Sequence, residues 1–442
     1  MHLVSADHLV TLGETNAVHS QAALAIEGGK VVEIGPKSEL VAKYPNATVD
    51  DFPNCTIIPG KINSHDHLYS AFARGISLKD EAPNNFLEIL ERLWWRLDRA
   101  LTLEDCYLSA KLCFAEAVRS GTTTIVDHHA SPGAIPFSLD ELARASQEVG
   151  LRGCFCYEVT DRNGEAGAQQ GIEESLRFLE RCKQEKNPLL SGALGLHASI
   201  TVGPETLKKC LEGCSDDVYF HVHVAEDGCD VDHAHKTYGC GPLERLLREG
   251  LSERKVLAAH CIHLDAKEQV LLKQHGITVL HNPRSNMNNA VGCAPVAKFN
   301  ADGIRVCLGT DGMSQDPWQD LQALSLVHKH QAGHPQSFSY GDIHQVGIAN
   351  PAALASELFG TRLGELSVGS AADIAILQYD PPTPLNAGNT LGHILFGMTY
   401  APVRATICHG RFVYRNGSVI GVDEQELYAK CRENAEKLWQ RW

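Results

Sequence analysis

Short apolar segments recur through the middle of this chain, and each pair is separated by enough residues for one helix. They lie at residues 56–62, 123–126, 152–157, 193–197, 218–224, 256–259, 277–281 and 304–308. Between them run stretches with helical spacing, among them 103–120, 139–149, 172–183, 242–249 and 267–274. Apolar runs this short suit strands covered on both faces rather than buried helices. About eight strand–helix units predict an α/β protein built as a closed (β/α)8 barrel, a fold that takes roughly 250 residues or more. The competing open sheet binds its ligand through a glycine-rich turn, and no Gly-x-Gly-x-x-Gly follows any of these strands.

The two ends are of a different kind. Residues 22–26 and 31–34 flank a Gly28-Gly29 turn, while 373–377, 404–408 and 412–414 repeat the strand–turn style near the C-terminus. Two β-rich ends around a different middle predict a small β-sandwich formed by both chain ends. The expected division is 1–58 plus 366–442 for the sandwich and 59–365 for the barrel. Leu427, Cys431 and Leu438 have helical spacing and predict a closing helix over 423–442.

Composition narrows the partners. Lys plus Arg is 39 against 54 Asp plus Glu, so the net charge is 39 − 54 = −15 with His neutral. Such a chain repels nucleic acid and anionic membrane surfaces. The start, Met1-His2-Leu3-Val4-Ser5, has no basic n-region or export-length apolar run, and no later stretch approaches a membrane span. The 15 cysteines are scattered and odd in number, which predicts reduced thiols and a cytoplasmic protein.

In a barrel, chemistry sits where strands end. His65 and His67 end the first strand, one residue apart, so on extended backbone both imidazoles face one side and can reach one ion. His197 ends the fourth strand, His221 and His223 lie on the fifth with Glu226 just after it, His260 ends the sixth and Asp311 the eighth. Solvated histidines placed at random would have no reason to favour these positions.

The assembled pattern resembles the amidohydrolase superfamily, in the branch of amino-heterocycle deaminases and chlorohydrolases and nearest to aminohydrolases of the SsnA type. The resemblance covers nearly the whole chain. It is carried by Pro-Gly-x-x-Asn-x-His-x-His at 59–67, Gly-Thr-Thr-Thr at 121–124 and His-x-x-Glu at 223–226. Ala-His-Cys at 259–261, Asn-Pro-x-Ser-Asn at 282–286 and Leu-Gly-Thr-Asp-Gly at 308–312 complete it.

The resemblance implies metal ligands His65, His67, His223 and Asp311, an open site with a position left for water. It implies Glu226 as the acid that protonates a ring nitrogen, Asp311 as general base and His260 as the group that steadies the attacking oxygen. His197 matches a substrate-contact position, and Trp94, in an aromatic stretch with Phe86, Leu87, Leu90 and Trp95, is expected to cover a planar substrate. Relatives with two ions bridge them by a strand-four lysine. Residues 192–202 contain none, so one divalent ion is expected, zinc with iron as the alternative.

Other polar residues carry plainer expectations. His221 is assigned to the opposite face of its strand from His223, in a structural role, and His263 to a helix start. His128 and His129 end strand two, where a place at the pocket for one of them is the less favoured reading. Cys229, His233, His235 and Cys240 are read as a loop after strand five, lid-like rather than a second zinc site. Asp66 stands where the family often has a small polar residue, Asn288-Asn289 where deaminases often carry lysine-leucine, and Asn350-Pro351-Ala352-Ala353 replaces a Gly-Gly-Ala step. The expected activity is hydrolytic deamination of a purine-, pyrimidine- or triazine-like substrate by a soluble enzyme, a homodimer by resemblance. Halide or amide hydrolysis on the same scaffold is the alternative. A non-catalytic metal-binding regulator would be expected to lose Glu226 or His260, and both are present.

Overall fold

The computed structural model describes residues 1–13 and 15–442. Strands from both chain ends join one eight-stranded sheet, in the order Ser418–Val419, Arg411–Arg415, Val403–Cys408, Ile374–Leu377, Thr48–Pro59, His2–Val10, Val18–Glu27, Lys30–Pro36. The ends meet at Thr48–Pro59, which runs parallel to His2–Val10 and antiparallel to Ile374–Leu377. Consecutive residues of that strand enter different cores. Ile57 packs with Val4, Leu24 and Ile376, and Ile58 packs toward the parallel strands, so the period of two buries both faces.

Residues 56–62, expected as one strand, are broken at Gly60. The next strand, Lys61–Asp66, starts the parallel set, and Lys61 N–H donates to Gly121 O at 2.9 Å. A Cβ on Gly60 would lie 2.2 Å from Thr123 Oγ1, so only glycine lets the chain cross from one sheet to the other here.

The parallel strands form two sheets. One holds Lys61–Asp66, Thr122–Asp127, Arg152–Phe155 and Leu190–Gly192; the other holds Glu158–Val159, Leu194–Ala198, Tyr219–Val224, Lys255–His260, Thr278–His281 and Val306–Leu308. They abut twice. A parallel bridge joins His129 to Tyr157, and another joins Asp66 to Asp311, where Thr310 and Asp311 N–H donate to His65 O at 3.0 and 2.9 Å. The buried side chains clustered on these strands mix small ones, Cys154, Cys156, Ala193, Ala259 and Cys307, with larger ones such as Leu257, Leu280 and Tyr219.

Two contacts lock the pieces together. Arg152 Nε donates to Asp373 Oδ2 at 2.7 Å, with both side chains fully or nearly fully buried, tying the parallel strands to the chain-end sheet. The C-terminal helix Glu424–Arg441 lies against helix Leu103–Ser120, where Asn434 Nδ2 and Arg441 reach Asp105 at 2.5 Å each. Among the described residues, no helix is long and apolar enough to cross a membrane.

Candidate active site

Every residue singled out at a strand end lies at one end of the parallel strands. His67 Nε2 is 3.2 Å from His223 Nε2 and 3.4 Å from Asp311 Oδ1. Donor atoms of His65, His67 and Asp311, and those of His65, His223 and His260, fall within 4.8 Å of one another. Two donors bound at 2.0–2.1 Å around a tetrahedral ion are separated by about 3.3–3.4 Å, so these spacings fit a small divalent cation. Buried His65 Nε2 and His260 Nε2 have no hydrogen-bond partner, which such an ion or its water would supply.

The outer ring nitrogens fix which lone pairs face inward. His67 Nδ1 donates to His128 O at 2.5 Å, His223 Nδ1 to His197 O at 2.9 Å and His260 Nδ1 to Asn286 Oδ1 at 2.8 Å. A carbonyl oxygen only accepts, so each Nδ1 carries the proton and each Nε2 is free. For His65 the partner is His221 Nε2, 2.8 Å from His65 Nδ1. Cys156 Sγ donates to Asp127 O at 3.4 Å and lies 3.8 Å from His221 Nδ1. A thiol that donates there can accept from His221, leaving His221 Nε2 to accept from His65. Burial and the neighbouring imidazoles push His65 and His223 well below the ordinary histidine range, so the rings are neutral and able to ligate.

The two carboxyls of the site are driven apart. Burial holds Glu226 well above the ordinary carboxylate range, and the charge of Asp311 adds to the effect. Burial also acts to raise Asp311, but His67, His260, the Ser285 hydroxyl at 2.6 Å and Gly312 N–H at 2.7 Å outweigh it and hold the group low. One acid is therefore kept protonated beside one kept ionised, the environment of an acid–base pair. Glu226 Oε2 is 3.4 Å from His260 Nε2, and its side chain is 13% exposed.

Backbone strain gathers at the same place. Ala225, His260 and Asp311 have φ of 48°, 71° and 56°, each costing roughly 1–3 kcal/mol for a residue with a Cβ. Buried Asp230 helps to hold the first of them by accepting from Ala225 N–H at 2.9 Å. At Gly309 the eighth strand passes so close to the first that a Cβ would lie 2.9 Å from His65 N.

The site opens into a cavity. His67, His223, Glu226 and Asp311 form one end; Trp94, Trp95, Leu87, Leu90 and Phe86 form an apolar wall. The π-helical turn Leu90–Trp94, set between helices Phe86–Ile89 and Trp95–Ala100, lets both tryptophans reach the cavity. Trp94 meets Tyr69 edge-to-face at 6.1 Å. His197 also lines the cavity, its Nδ1 2.6 Å from Thr201 Oγ1.

Several expectations need correction. His221 is not on the face opposite His223, because residues two apart on a strand share a face; it lies inside against His65 and stacks on His128 at 4.3 Å. His128 and His129 are fully buried and do not line the cavity. The Cys229–Cys240 stretch is largely a helix, Gly228–Tyr238, started by Asp227, whose side chain accepts from Cys229 N–H at 3.0 Å. His233 and His235 are two apart on it and point to different sides. His263 does have a structural place, its Nε2 donating to Val291 O at 2.7 Å. Glu158, not among the expected site residues, is buried and lines the cavity. It sits one residue past the strand expected at 152–157, and the strand-end rule applied there would have found it.

The class defined by this fold and site is that of hydrolytic enzymes built on parallel β/α units, with imidazoles and carboxylates at the C-terminal strand ends. The chain belongs to the amidohydrolase family, whose profile matches residues 56–413; a bacterial imidazolonepropionase-like composite domain matches 22–47. A 5-methylthioadenosine/S-adenosylhomocysteine deaminase of Syntrophomonas wolfei is 32% identical over 440 residues, covering 97% of each chain. Among solved structures, a zinc-bound adenosine deaminase from Xanthomonas campestris has a TM-score of 0.85 at 22% identity, covering 99% of this chain and 98% of that one. The zinc-complexed atrazine chlorohydrolase TrzN of Arthrobacter aurescens TC1 has a TM-score of 0.81 at 21% identity, covering 99% of this chain and 100% of its own.

Proposed function

We propose that this chain is a hydrolytic deaminase that removes an amino group from a nitrogen heterocycle, with adenosine-type purines as the first substrate class. The observation that carries the reading is the placement of Glu226: a mostly buried carboxyl, held in its acid form, beside converging imidazoles at the end of an aromatic-walled cavity. The deaminase of Syntrophomonas wolfei, similar along nearly its whole length, supports the adenosine class.

His65, His67, His223 and Asp311 would hold one divalent ion, with zinc proposed. When bound, such an ion supplies a water whose pKa falls towards neutrality. The remaining steps belong to the protein. The ring lies against the wall containing Trp94, with His197 in contact at its edge. Glu226 donates its proton to a ring nitrogen, which makes the adjacent carbon electrophilic. His260 Nε2 accepts a hydrogen bond from the attacking water and orients it, and Asp311 takes the water's proton. That proton then goes to the amine as its carbon–nitrogen bond breaks, and the proton still on the added oxygen returns to Glu226 as the carbonyl forms. Water and the amino compound are consumed; the oxo compound and ammonia are formed.

A chloride leaving group needs no proton, so the acid form of Glu226 favours deamination over halide hydrolysis. We further infer that the parallel strands close as a (β/α)8 barrel, on the strength of the two bridges between their sheets. The composite division 1–58 plus 366–442 against 59–365 and a cytoplasmic location are part of the same proposal.

Ammonia release from metal-quantified protein, against adenosines with varied 5′ groups, aminopyrimidines and aminotriazines, tests the activity. Release by wild type that Glu226→Gln loses supports the deaminase. No release across the panel at full metal occupancy overturns it in favour of amide or halide hydrolysis.

A further inference from the structure

On the cavity wall beside His67, two neighbouring groups offer lone pairs to whatever enters. Glu158 is 3% exposed and lines the cavity together with His197. Its Oε1 is 3.3 Å from His128 Nδ1 and 3.5 Å from His67 Nδ1. His128 Nε2 is 3.1 Å from His221 O, a pure acceptor, so that ring carries its proton on Nε2 and Nδ1 is a lone pair. An ionised Glu158 accepts at both oxygens, and a protonated one places its proton on Oε1, facing that lone pair. In both cases Oε2 accepts. His197 Nε2 lies 3.9 Å from Glu158 Oε2. The Thr201 hydroxyl donates to Ala198 O at 3.3 Å, so it accepts from His197 Nδ1, and His197 Nε2 is a lone pair too.

The protein's own donors nearby are committed elsewhere. His67 Nδ1 donates to His128 O at 2.5 Å, and Arg162, on the same wall, is paired with Asp98. Two acceptors side by side in a largely buried place repel a third lone pair and leave it without a partner. A ligand group seated there must therefore bring an N–H or O–H of its own. Glu226 stands 3.4 Å from His260 and Glu158 3.5 Å from His67, so a ring held at Glu226 turns a different edge to this pair.

We propose that Glu158 Oε2 and His197 Nε2 are a specificity pair for the substrate edge away from Glu226, selecting amino-heterocycles that carry an N–H or O–H donor there. This rests on the deaminase reading, which already sets His197 at the ring edge, and adds Glu158 and the chemistry of the edge. An adenine ring with N1 at Glu226 has a lone pair at N3. A nucleoside therefore meets the pair with its sugar hydroxyls, and an unsubstituted base with a ring N–H. An analogue without the donor leaves both acceptors unpaired, a mismatch that buried polar sites reject strongly.

Quenching of tryptophan fluorescence reads binding, since Trp94 and Trp95 lie on the cavity wall. Full-length, zinc-loaded protein carrying Glu226→Gln is used, so that turnover does not intervene. Adenosine is titrated against 2′,3′-dideoxyadenosine, adenine against 9-methyladenine, and cytosine against 1-methylcytosine. In at least one pair the donor-bearing member is expected to bind at least about ten-fold more tightly, and which pair does so separates sugar from ring donors. Adding Glu158→Leu should bring that pair to within about two-fold. Adding Glu158→Gln should keep the preference, because the amide oxygen replaces Oε2 while its NH2 faces His128. Glu158→Ala gives the same reading should the leucine variant fail to fold. Absence of a preference in all three pairs, or a preference that survives loss of the Glu158 carboxyl in the leucine or alanine variant, overturns the proposal. Ammonia release is a separate readout. Release by wild type without such a preference leaves the deaminase standing and removes the specificity pair, and a preference without release does the reverse.

Discussion

The chain-end sheet and the parallel strands treat their polar side chains in opposite ways. In the sheet, polar groups pair with neighbours on adjacent strands: His2 Nε2 lies 2.7 Å from Asp50, and the Ser5 hydroxyl donates to Asp51 at 2.6 Å. Its residues with positive φ include Gln21 and Asn54 within strands, and His409 and Asn416 at turns. In the parallel strands the histidines are buried, His65 and His260 keep an unpartnered nitrogen, and the left-handed residues include His260 and Asp311 themselves. The sheet keeps an unpartnered nitrogen at His8, whereas in the parallel strands such nitrogens gather at one site. Stability and function are thus separated in space, and each can be attacked without the other.

The largest effect is expected on the functional side. Glu226→Gln removes the proton donor and should lower kcat by about 10²–10⁴-fold, with the melting temperature unchanged or higher, since a buried acid gives way to a neutral isostere. Enzyme assays beside thermal melts check it; a comparable loss of stability would erase the distinction.

The reverse case is Arg152–Asp373, the buried pair between the regions. Arg152→Met alone strands a buried carboxylate and should cost about 3–5 kcal/mol in denaturant unfolding. Activity per folded molecule should stay within about two-fold, and Arg152→Met with Asp373→Leu should recover much of the loss.

Acid should act on the buried histidines. Burial is the main cause that pushes His129 down to about 3, with His67 adding to it, and burial pushes His328 down to about 4, from 6.5. Both are neutral when folded, so their stability contribution is complete above pH 6.5. As the pH falls towards the folded values, the unfolded chain takes up protons the folded one refuses, at up to about 1.4 kcal/mol per pH unit for each group. Urea midpoints should therefore drop between pH 7 and 5.5; a flat profile would mean that these rings protonate in place.

The smallest effect probes the cavity wall. Trp94→Ala should lose about 0.5–1.5 kcal/mol of ring contact, a two- to twelve-fold rise in KM at nearly constant kcat. Steady-state kinetics on the substrate found by ammonia release would check it.

Much of this was legible from spacing. Apolar runs alternating with helical stretches announced parallel strands, and the strand-end rule located His65, His67, His223, His260 and Asp311, because strand ends are visible in one dimension. Glu158 was equally legible, one residue past the strand expected at 152–157, although the structure breaks that strand after Phe155 and resumes it at Glu158. The Gly60 crossing was hidden because nothing local says that Thr123 will press against it. His221 shows a different failure, since its period-two relation to His223 was in plain view and pointed inward.

What the sequence determined by itself is therefore the inventory: which donors exist, their order, and the strand ends that carry them, all consequences of short-range periodicity. What only the tertiary structure decided is their state. Which nitrogen of each ring is free depends on acceptors such as His128 O, His197 O and Asn286 Oδ1, the first two 61 and 26 residues away and the third 26. The opposite shifts of Glu226 and Asp311 likewise follow from burial and from charges that meet only when the strands are assembled. Proton positions are set by distance in space, and distance along the chain does not encode it.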